Sequence, residues 1–193
     1  MCINGVCVDP PNTGSETTWD VASDFSTTAN PNGPYSYGLK PSLEGVFLQH
    51  DTVDPGISGC ALSILDWHSS ALPSREPVVA KNISSDTTCN GVLPGAVNLH
   101  PGPDGELSVL RWASPVNGQI SIEGHFGAGD TSPMSYFIYK NDSLEIYSLH
   151  GASGDGSFSI VESVPVGTTI DFLVGEYFAY GSTPLQAAIQ IMP

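Results

Sequence analysis

The stretch LHPGPDGELSVLRWASPVNGQISIEGHF, from Leu99 to Phe126, contains two strand-like runs, Glu106–Ala113 and Gln119–Phe126. Pro115 ends the first run because proline has no N–H to donate to a strand ladder. The Asn117-Gly118 pair suits the positive φ angles of a tight turn. The stretch therefore predicts two successive antiparallel strands, and the preceding HPGPDG segment predicts a rigid loop that carries the chain from one sheet to another.

Similar runs, each bounded by Gly, Pro, Asn or Asp, recur along the chain. They are Thr18–Phe25, Gly45–His50, Cys60–Trp67, Pro77–Ile83, Ser135–Lys140, Leu144–His150, Ser157–Glu162, Thr168–Val174 and Leu185–Ile191. This regular spacing predicts an all-β fold, a single antiparallel β-sandwich of the jelly-roll type. The segment Asp66–Ser74 is a short helical candidate, limited by Pro73.

Alternation along the best runs predicts which side chains form the core. The inward set is Ile120, Ile122, Gly124, Phe126, Ile170, Phe172, Val174, Leu185, Ala187, Ile189 and Ile191. Asp171, Gln186 and Gln190 are expected to face outward, because a slip of one residue would bury them all. Trp19 and Trp112 lie within predicted strands, which favours core packing.

The bulk composition limits the partners. The chain of 193 residues is long enough for one sizeable domain, and we expect a lead over residues 1–17 and a sandwich over 18–193. It has 20 acidic and only 5 basic residues, scattered singly, for a net charge of −15. Nucleic acid is therefore a poor partner, since phosphate binding needs clustered Lys and Arg. The sequence contains no run of about 18 apolar residues, so it does not predict membrane insertion.

The cysteines and the low lysine content indicate a secreted or cell-surface protein. Four cysteines allow three pairings. We favour a Cys2–Cys7 disulfide, which would staple the N-terminal segment, and a Cys60–Cys89 disulfide, worth about 3 kcal/mol. A zinc site is the alternative, but no close second Cys or His pair accompanies Cys60 or Cys89. The CINGVCV segment also resembles a piece of an EGF-like module.

The order of WDVASDFSTTANPNGPYSYG (Trp19 to Gly38), the Leu99–Phe126 stretch, TTIDFLVG (Thr168 to Gly175) and STPLQAAIQI resembles a jelly-roll β-sandwich domain of secreted bacterial proteins. These include planctomycete surface proteins and proteins with a C-terminal sorting anchor, and the plan is similar to carbohydrate-binding modules. The resemblance covers roughly residues 18–192. It implies an acidic residue in the final loop, where this chain has Gly181-Ser182-Thr183. If that residue holds a cation in relatives, this chain departs from the pattern.

Aromatic residues in two Gly-rich segments are the candidate ligand-binding residues. Tyr35 and Tyr37 lie in NPNGPYSYG, and Tyr177 and Tyr180 lie in GEYFAYG. An exposed ring stacks on the apolar face of a sugar, so such rings in loops at one end of a sandwich predict a glycan platform. The alternative is that they pack over the edge of the sandwich as a plug.

Four aspartates in loop-like segments are candidate calcium ligands: Asp51, Asp54, Asp104 and Asp130. Calcium takes several oxygen ligands, which loops supply readily, but no linear calcium motif is present. The alternative is that these carboxylates cap turns.

No Gly-x-Ser-x-Gly elbow is present, which disfavours a serine hydrolase. The first functional hypothesis is a non-catalytic extracellular recognition domain for a polysaccharide or other glycan. The second is a structural domain that assembles with copies of itself in a surface layer, appendage or filament. The third is a glycan hydrolase, for which two carboxylates must flank a cleft.

Overall fold

A computed structural model describes residues 17–55, 64–130, 133–152, 156–179 and 181–193, together with the backbone pairing of 2–3 and 6–7. The strands are β1 (Cys2–Ile3), β2 (Val6–Cys7), β3 (Thr18–Asp20), β4 (Tyr35–Lys40), β5 (Leu48–Gln49), β6 (Thr52–Pro55), β7 (Ile64–His68), β8 (Val78–Asn82), β9 (Val97–His100), β10 (Leu107–Ala113), β11 (Gly118–Phe126), β12 (Met134–Lys140), β13 (Leu144–Ala152), β14 (Gly156–Val164), β15 (Thr169–Gly175) and β16 (Thr183–Ile191). No helix occurs in these ranges, and so none there could cross a membrane.

Two antiparallel sheets face each other. The first sheet has the order β13-β12-β15-β10-β4-β5, and the second has the order β14-β11-β16-β9-β8-β7-β6, with β3 also paired to β16. From β9 onward the chain crosses between the sheets at nearly every connection, as in a jelly roll. The predicted β-sandwich is confirmed.

The space between the sheets holds the main core, and the alternation predicted it well. Ile120, Phe172 and Ile189 are each 0% exposed. Trp112 is also fully buried, and the Trp19 ring packs on it at 5.3 Å between centroids. Each strand places alternate side chains on this interface because successive residues of a β-strand point to opposite faces.

The Leu99–Phe126 stretch is organised differently from the predicted pair of neighbouring strands. β10 pairs with β4 and β15, whereas β11 pairs with β14 and β16 in the other sheet. The connection between β10 and β11 is hydrogen-bonded to the connection between β14 and β15. Ser114 N–H donates to Thr168 O at 2.8 Å, and Val166 N–H donates to Asn117 Oδ1 at 2.8 Å. The hairpin prediction was therefore wrong. The HPGPDG crossing is confirmed, since β9 and β10 lie in different sheets.

Five strands were not predicted: β1, β2, β4, β6 and β9. Tyr35–Lys40 alternates inward and outward, but its Pro- and Gly-rich surroundings indicated a loop. Gly38 is required there, because a Cβ at this position would lie 2.6 Å from the Phe47 ring. The helical candidate Asp66–Ser74 was also wrong, because its first part belongs to β7, which pairs with β6 and β8.

Asp171 does not face water, contrary to the alternation-based prediction. It lies on the outer face of the first sheet with a side chain that is 0% exposed. Its carboxylate accepts two hydrogen bonds from Arg111, at 2.6 Å from Nε and 2.7 Å from the terminal nitrogen Nη2. The Phe47 ring covers this pair, with its centroid 4.2 Å from the Arg111 guanidinium carbon. Burial raises the pKa of the Asp171 carboxyl, and Arg111 opposes that shift.

The segment that carries Phe47 closes a second apolar cluster on this outer face. Its buried members are Leu107, Val109, Phe137, Tyr139 and Leu173, and Leu43 and Phe47 pack against them. Each sheet face of an ordinary sandwich is either core or solvent-facing. Here one sheet is buried on both faces over part of its area.

The cysteine predictions fall mostly on positions outside the described side chains. Cys2 and Cys7 are directly opposite each other in the β1–β2 ladder. Cys60 lies outside the described residues. Both disulfides therefore stay predictions, as does a boundary at residue 17, and a mass measurement before and after reduction would check the pairings.

Candidate functional site

Tyr35 and Tyr37 are core residues rather than exposed loop aromatics. Both lie in β4, and both are 1% exposed. Pairing of β4 with β10 directs these rings inward, where Tyr37 lies 4.5 Å from Phe25 between ring centroids. Burial raises the pKa of Tyr37 to about 12. The expectation that these rings form an open platform is therefore wrong.

Tyr177 lies on the surface, directly after β15. Tyr177 is 50% exposed, and its neighbour Phe178 is 38% exposed. We call residues 176–179 the aromatic loop. Tyr180, the other tyrosine predicted here, lies outside the described residues. Phe178 was not among the predicted site residues, although its position between two candidate tyrosines was a usable signal.

The aromatic loop is attached to the sandwich through its first residue. The Glu176 carboxylate accepts a hydrogen bond from the hydroxyl of Ser135, a buried residue of β12. His150 of β13 places Nδ1 3.4 Å from the same carboxylate oxygen, Oε2. Glu176 has a φ of +73°, a conformation that non-glycine residues rarely adopt and that persists only when surrounding contacts hold it.

A second contact holds the loop from the other sheet. The Phe178 ring meets the imidazole of His100, at the end of β9, edge to face at 5.4 Å between centroids. His100 Nδ1 is in turn 2.9 Å from Pro101 O. The loop therefore contacts both sheets, through Glu176 on β12 and β13 and through Phe178 on the end of β9.

Two partly exposed polar side chains, Glu176 and His150, lie where the aromatic loop joins the sandwich. The Glu176 side chain is 43% exposed and that of His150 is 59% exposed. Glu176 uses Oε2 for Ser135 and His150, and Oε1 makes no hydrogen bond to any described residue. The loop and His150 thus present an aromatic ring, a carboxylate oxygen and an imidazole to solvent, and such groups can contact the apolar face and the hydroxyls of a sugar.

Ser135, His150 and Glu176 are not arranged as a catalytic triad. In a triad the serine hydroxyl and the acid contact different imidazole nitrogens. Here Ser135 Oγ and Glu176 Oε2 both lie near Nδ1, at 3.5 and 3.4 Å. The serine hydroxyl also donates to the carboxylate, so this arrangement orients Glu176 and does not activate Ser135.

The four candidate calcium ligands are held by different local contacts. Asp51 accepts hydrogen bonds from Ser70 Oγ at 2.6 Å and Ser70 N–H at 2.8 Å, which lower the pKa of its carboxyl to about 2. Asp54 is 3.8 Å from His68, Asp130 accepts from Ser182 N–H at 3.2 Å, and Asp104 N–H donates to Glu106. Within the described ranges, no group of three or more His, Cys, Asp or Glu could hold a metal ion.

The buried imidazole of His50 makes the free energy of unfolding depend on pH. It is 1% exposed, and neither ring nitrogen has a hydrogen-bond partner among the described residues. Burial, with nearby His68, lowers its pKa from 6.5 to about 3, while Asp51 opposes the shift.

Below pH 6.5 the unfolded chain gains a proton that folded His50 takes up only near pH 3. Its contribution to stability is therefore full above pH 6.5 and falls by about 1.4 kcal/mol per pH unit between those values. The free energy of unfolding, measured with urea at several pH values in this range, should fall less steeply with decreasing pH for His50→Leu than for the wild type. Equal slopes would contradict the assignment.

No protein-family model matches the chain, and no curated protein matches it. Among solved structures, a CBM51 from Clostridium perfringens GH95, in complex with methyl-galactose, is 10% identical, with 90% of this chain and 99% of that chain covered and a TM-score of 0.37. A family 35 carbohydrate binding module from Clostridium thermocellum is 10% identical over 66% of this chain and 87% of that chain, with a TM-score of 0.32. Pika GITRL is 18% identical over 44% and 72%, with a TM-score of 0.33.

Proposed function

We propose that this chain is an extracellular recognition domain that binds a glycan through the aromatic loop and does not cleave it. The observation that carries the proposal is the half-exposed ring of Tyr177, placed beside Phe178 on a loop held to both sheets. Solvent-exposed aromatic side chains next to one another mark interaction sites more often than scattered apolar residues do.

The attached loop suits weak, repeated contacts with a sugar chain. Binding costs free energy when a loop must be ordered, and a loop already held by Ser135 and His100 avoids much of that cost. The ring of Tyr177 supplies the apolar contact, and Glu176 Oε1 accepts a hydroxyl. An acidic, secreted domain would meet such chains at a cell surface.

Tyr177→Ala should weaken binding to a responsive polysaccharide by about tenfold or more, since central aromatic residues carry much of the energy of an interface. The measurement is affinity electrophoresis across a polysaccharide panel, followed by calorimetry with oligosaccharides, with and without a chelator. The chelator arm also tests the calcium prediction.

Two matched variants control for indirect effects. Val166→Ala removes an apolar residue that is 59% exposed near the other end of β15, and it should bind as the wild type does. Tyr35→Phe removes a buried hydroxyl that has no partner among the described residues, and it should also leave binding unchanged. A wild-type protein that binds no glycan, or a Tyr177→Ala variant that binds normally, would refute the site.

The same samples distinguish the alternatives. Release of reducing ends would identify a hydrolase. Higher oligomers in size-exclusion chromatography, formed without glycan, would favour an assembly domain.

A further inference from the structure

We propose that the aromatic loop selects glycans that carry no acidic groups, and that among these it prefers sugars with a free amine. This inference rests on the proposed function and names the ligand class of the same site. It follows from where the chain's few cations are engaged and from how the Glu176 carboxylate is held.

All five basic residues of the chain are described, and each is engaged elsewhere. The contacts are Lys40 Nζ to Asp142 O at 2.8 Å, Arg75 to Asp66 at 2.8 Å, Lys81 Nζ to Ala22 O at 2.6 Å, Arg111 to Asp171 at 2.6 Å and Lys140 to Glu162 at 2.7 Å. None of these partners belongs to the aromatic loop. A uronate or sulfate group would thus find no lysine or arginine that is free to pair with it.

The electrostatic field of the whole chain also disfavours acidic glycans. The chain has a net charge of −15, so a polyanionic glycan is repelled as it approaches. In the part of the chain that the structure describes, no lysine or arginine pairs with Glu176, whose one imidazole neighbour is His150 at 3.4 Å. A neutral sugar escapes this repulsion, and a cationic sugar is attracted.

The local geometry favours an amine specifically. Ser135 and His150 contact one oxygen of the Glu176 carboxylate, Oε2, which leaves Oε1 without a hydrogen-bond partner among the described residues. An ammonium group that donates to a carboxylate makes a charge-assisted hydrogen bond, about twice as strong as a neutral one. Tyr177, the next residue, would contact the ring of the same sugar.

The experiment compares three oligosaccharides of equal length by calorimetry in a mildly acidic buffer: glucosamine oligomers with free amines, their N-acetylated equivalents and oligogalacturonates. We expect the amine-bearing oligomer to bind about tenfold more tightly than the acetylated one, from one charge-assisted bond. Oligogalacturonate should show no binding.

Glu176→Gln should lower the affinity for the amine-bearing oligomer to that for the acetylated one, so that the tenfold preference is lost. The matched control is Glu123→Gln, which changes the net charge equally at an exposed position on β11 and should keep the preference. Thermal melting of both variants checks that the fold is retained.

The outcomes separate this inference from the proposed function. Tight binding of oligogalacturonate, with or without calcium, would overturn the selectivity and leave glycan binding intact. An equal loss of preference in Glu123→Gln and Glu176→Gln would also overturn it, because the attraction would then be unspecific. Failure of every oligosaccharide and of the polysaccharide panel would refute the proposed function itself.

Discussion

Replacing Asp171 with alanine is expected to lower the free energy of unfolding by about 3 kcal/mol, because it leaves the buried guanidinium of Arg111 without its main partner. The Arg111 side chain is 14% exposed, and its bonds to Asp171 are 2.6 and 2.7 Å long. Asp142 also accepts a hydrogen bond from Arg111, but its side chain is 50% exposed, so it does not replace the fully buried carboxylate of Asp171. Denaturant unfolding at neutral pH measures the loss.

A double variant separates the cost of an unpaired charge from the value of the ion pair. Arg111→Met with Asp171→Leu removes both charges and keeps apolar volume under Phe47. Its stability should lie close to that of the wild type, since a buried pair and an apolar replacement are often nearly equivalent. Glu123→Ala, at an exposed position, should change stability by no more than about 0.5 kcal/mol. Should Asp171→Ala match this control, the pair would not be buried as described.

Replacing Gly124 with alanine is expected to lower the free energy of unfolding by about 3 kcal/mol, at the upper end of the usual cost of overpacking. A Cβ at this position would lie 2.8 Å from Ala187 Cα and 2.9 Å from the Phe158 ring, and the Gln186 carbonyl oxygen would be closer still. Two of these three are backbone atoms of the paired strand β16, so β11 and β16 would have to separate.

Gly127→Ala is the matched control for that variant. It makes the same chemical change three residues further along, where the nearest atoms to the new Cβ are Pro184 Cβ and Pro184 O, both at 3.7 Å. That separation is ordinary van der Waals contact, and we expect a change within about 0.5 kcal/mol. Similar losses in both variants would show that the β11–β16 spacing is not the cause.

Core positions on the long strands were predictable from local pattern alone. In β11 the outward residues are all polar, and β15 and β16 follow the same pattern except at Leu173 and Ala188. Ile122, Phe172 and Leu185 are each 0% exposed. The burial of Asp171 was not predictable in this way. Its outward direction is correct, but a segment more than 120 residues earlier in the chain, carrying Phe47, covers that face.

The candidate site was predicted in part. Tyr177 is exposed as expected, while Tyr35 and Tyr37 are buried. All three have similar Gly-rich surroundings in the sequence, and the difference arises because β4 has β10 as a neighbour. The oriented carboxylate of Glu176 had no local signal, since Ser135 and His150 come from two other strands.

By itself, the sequence determined the class of fold, the short extended segments and the apolar face of each long strand, because alternation of period two reports burial without reference to any partner. Only the tertiary structure decided which sheet each strand joins and which aromatic rings stay exposed. Arg111 and Asp171 are 60 residues apart in the chain and yet directly paired across β10 and β15. Such pairing depends on contacts between distant segments, which no local pattern encodes.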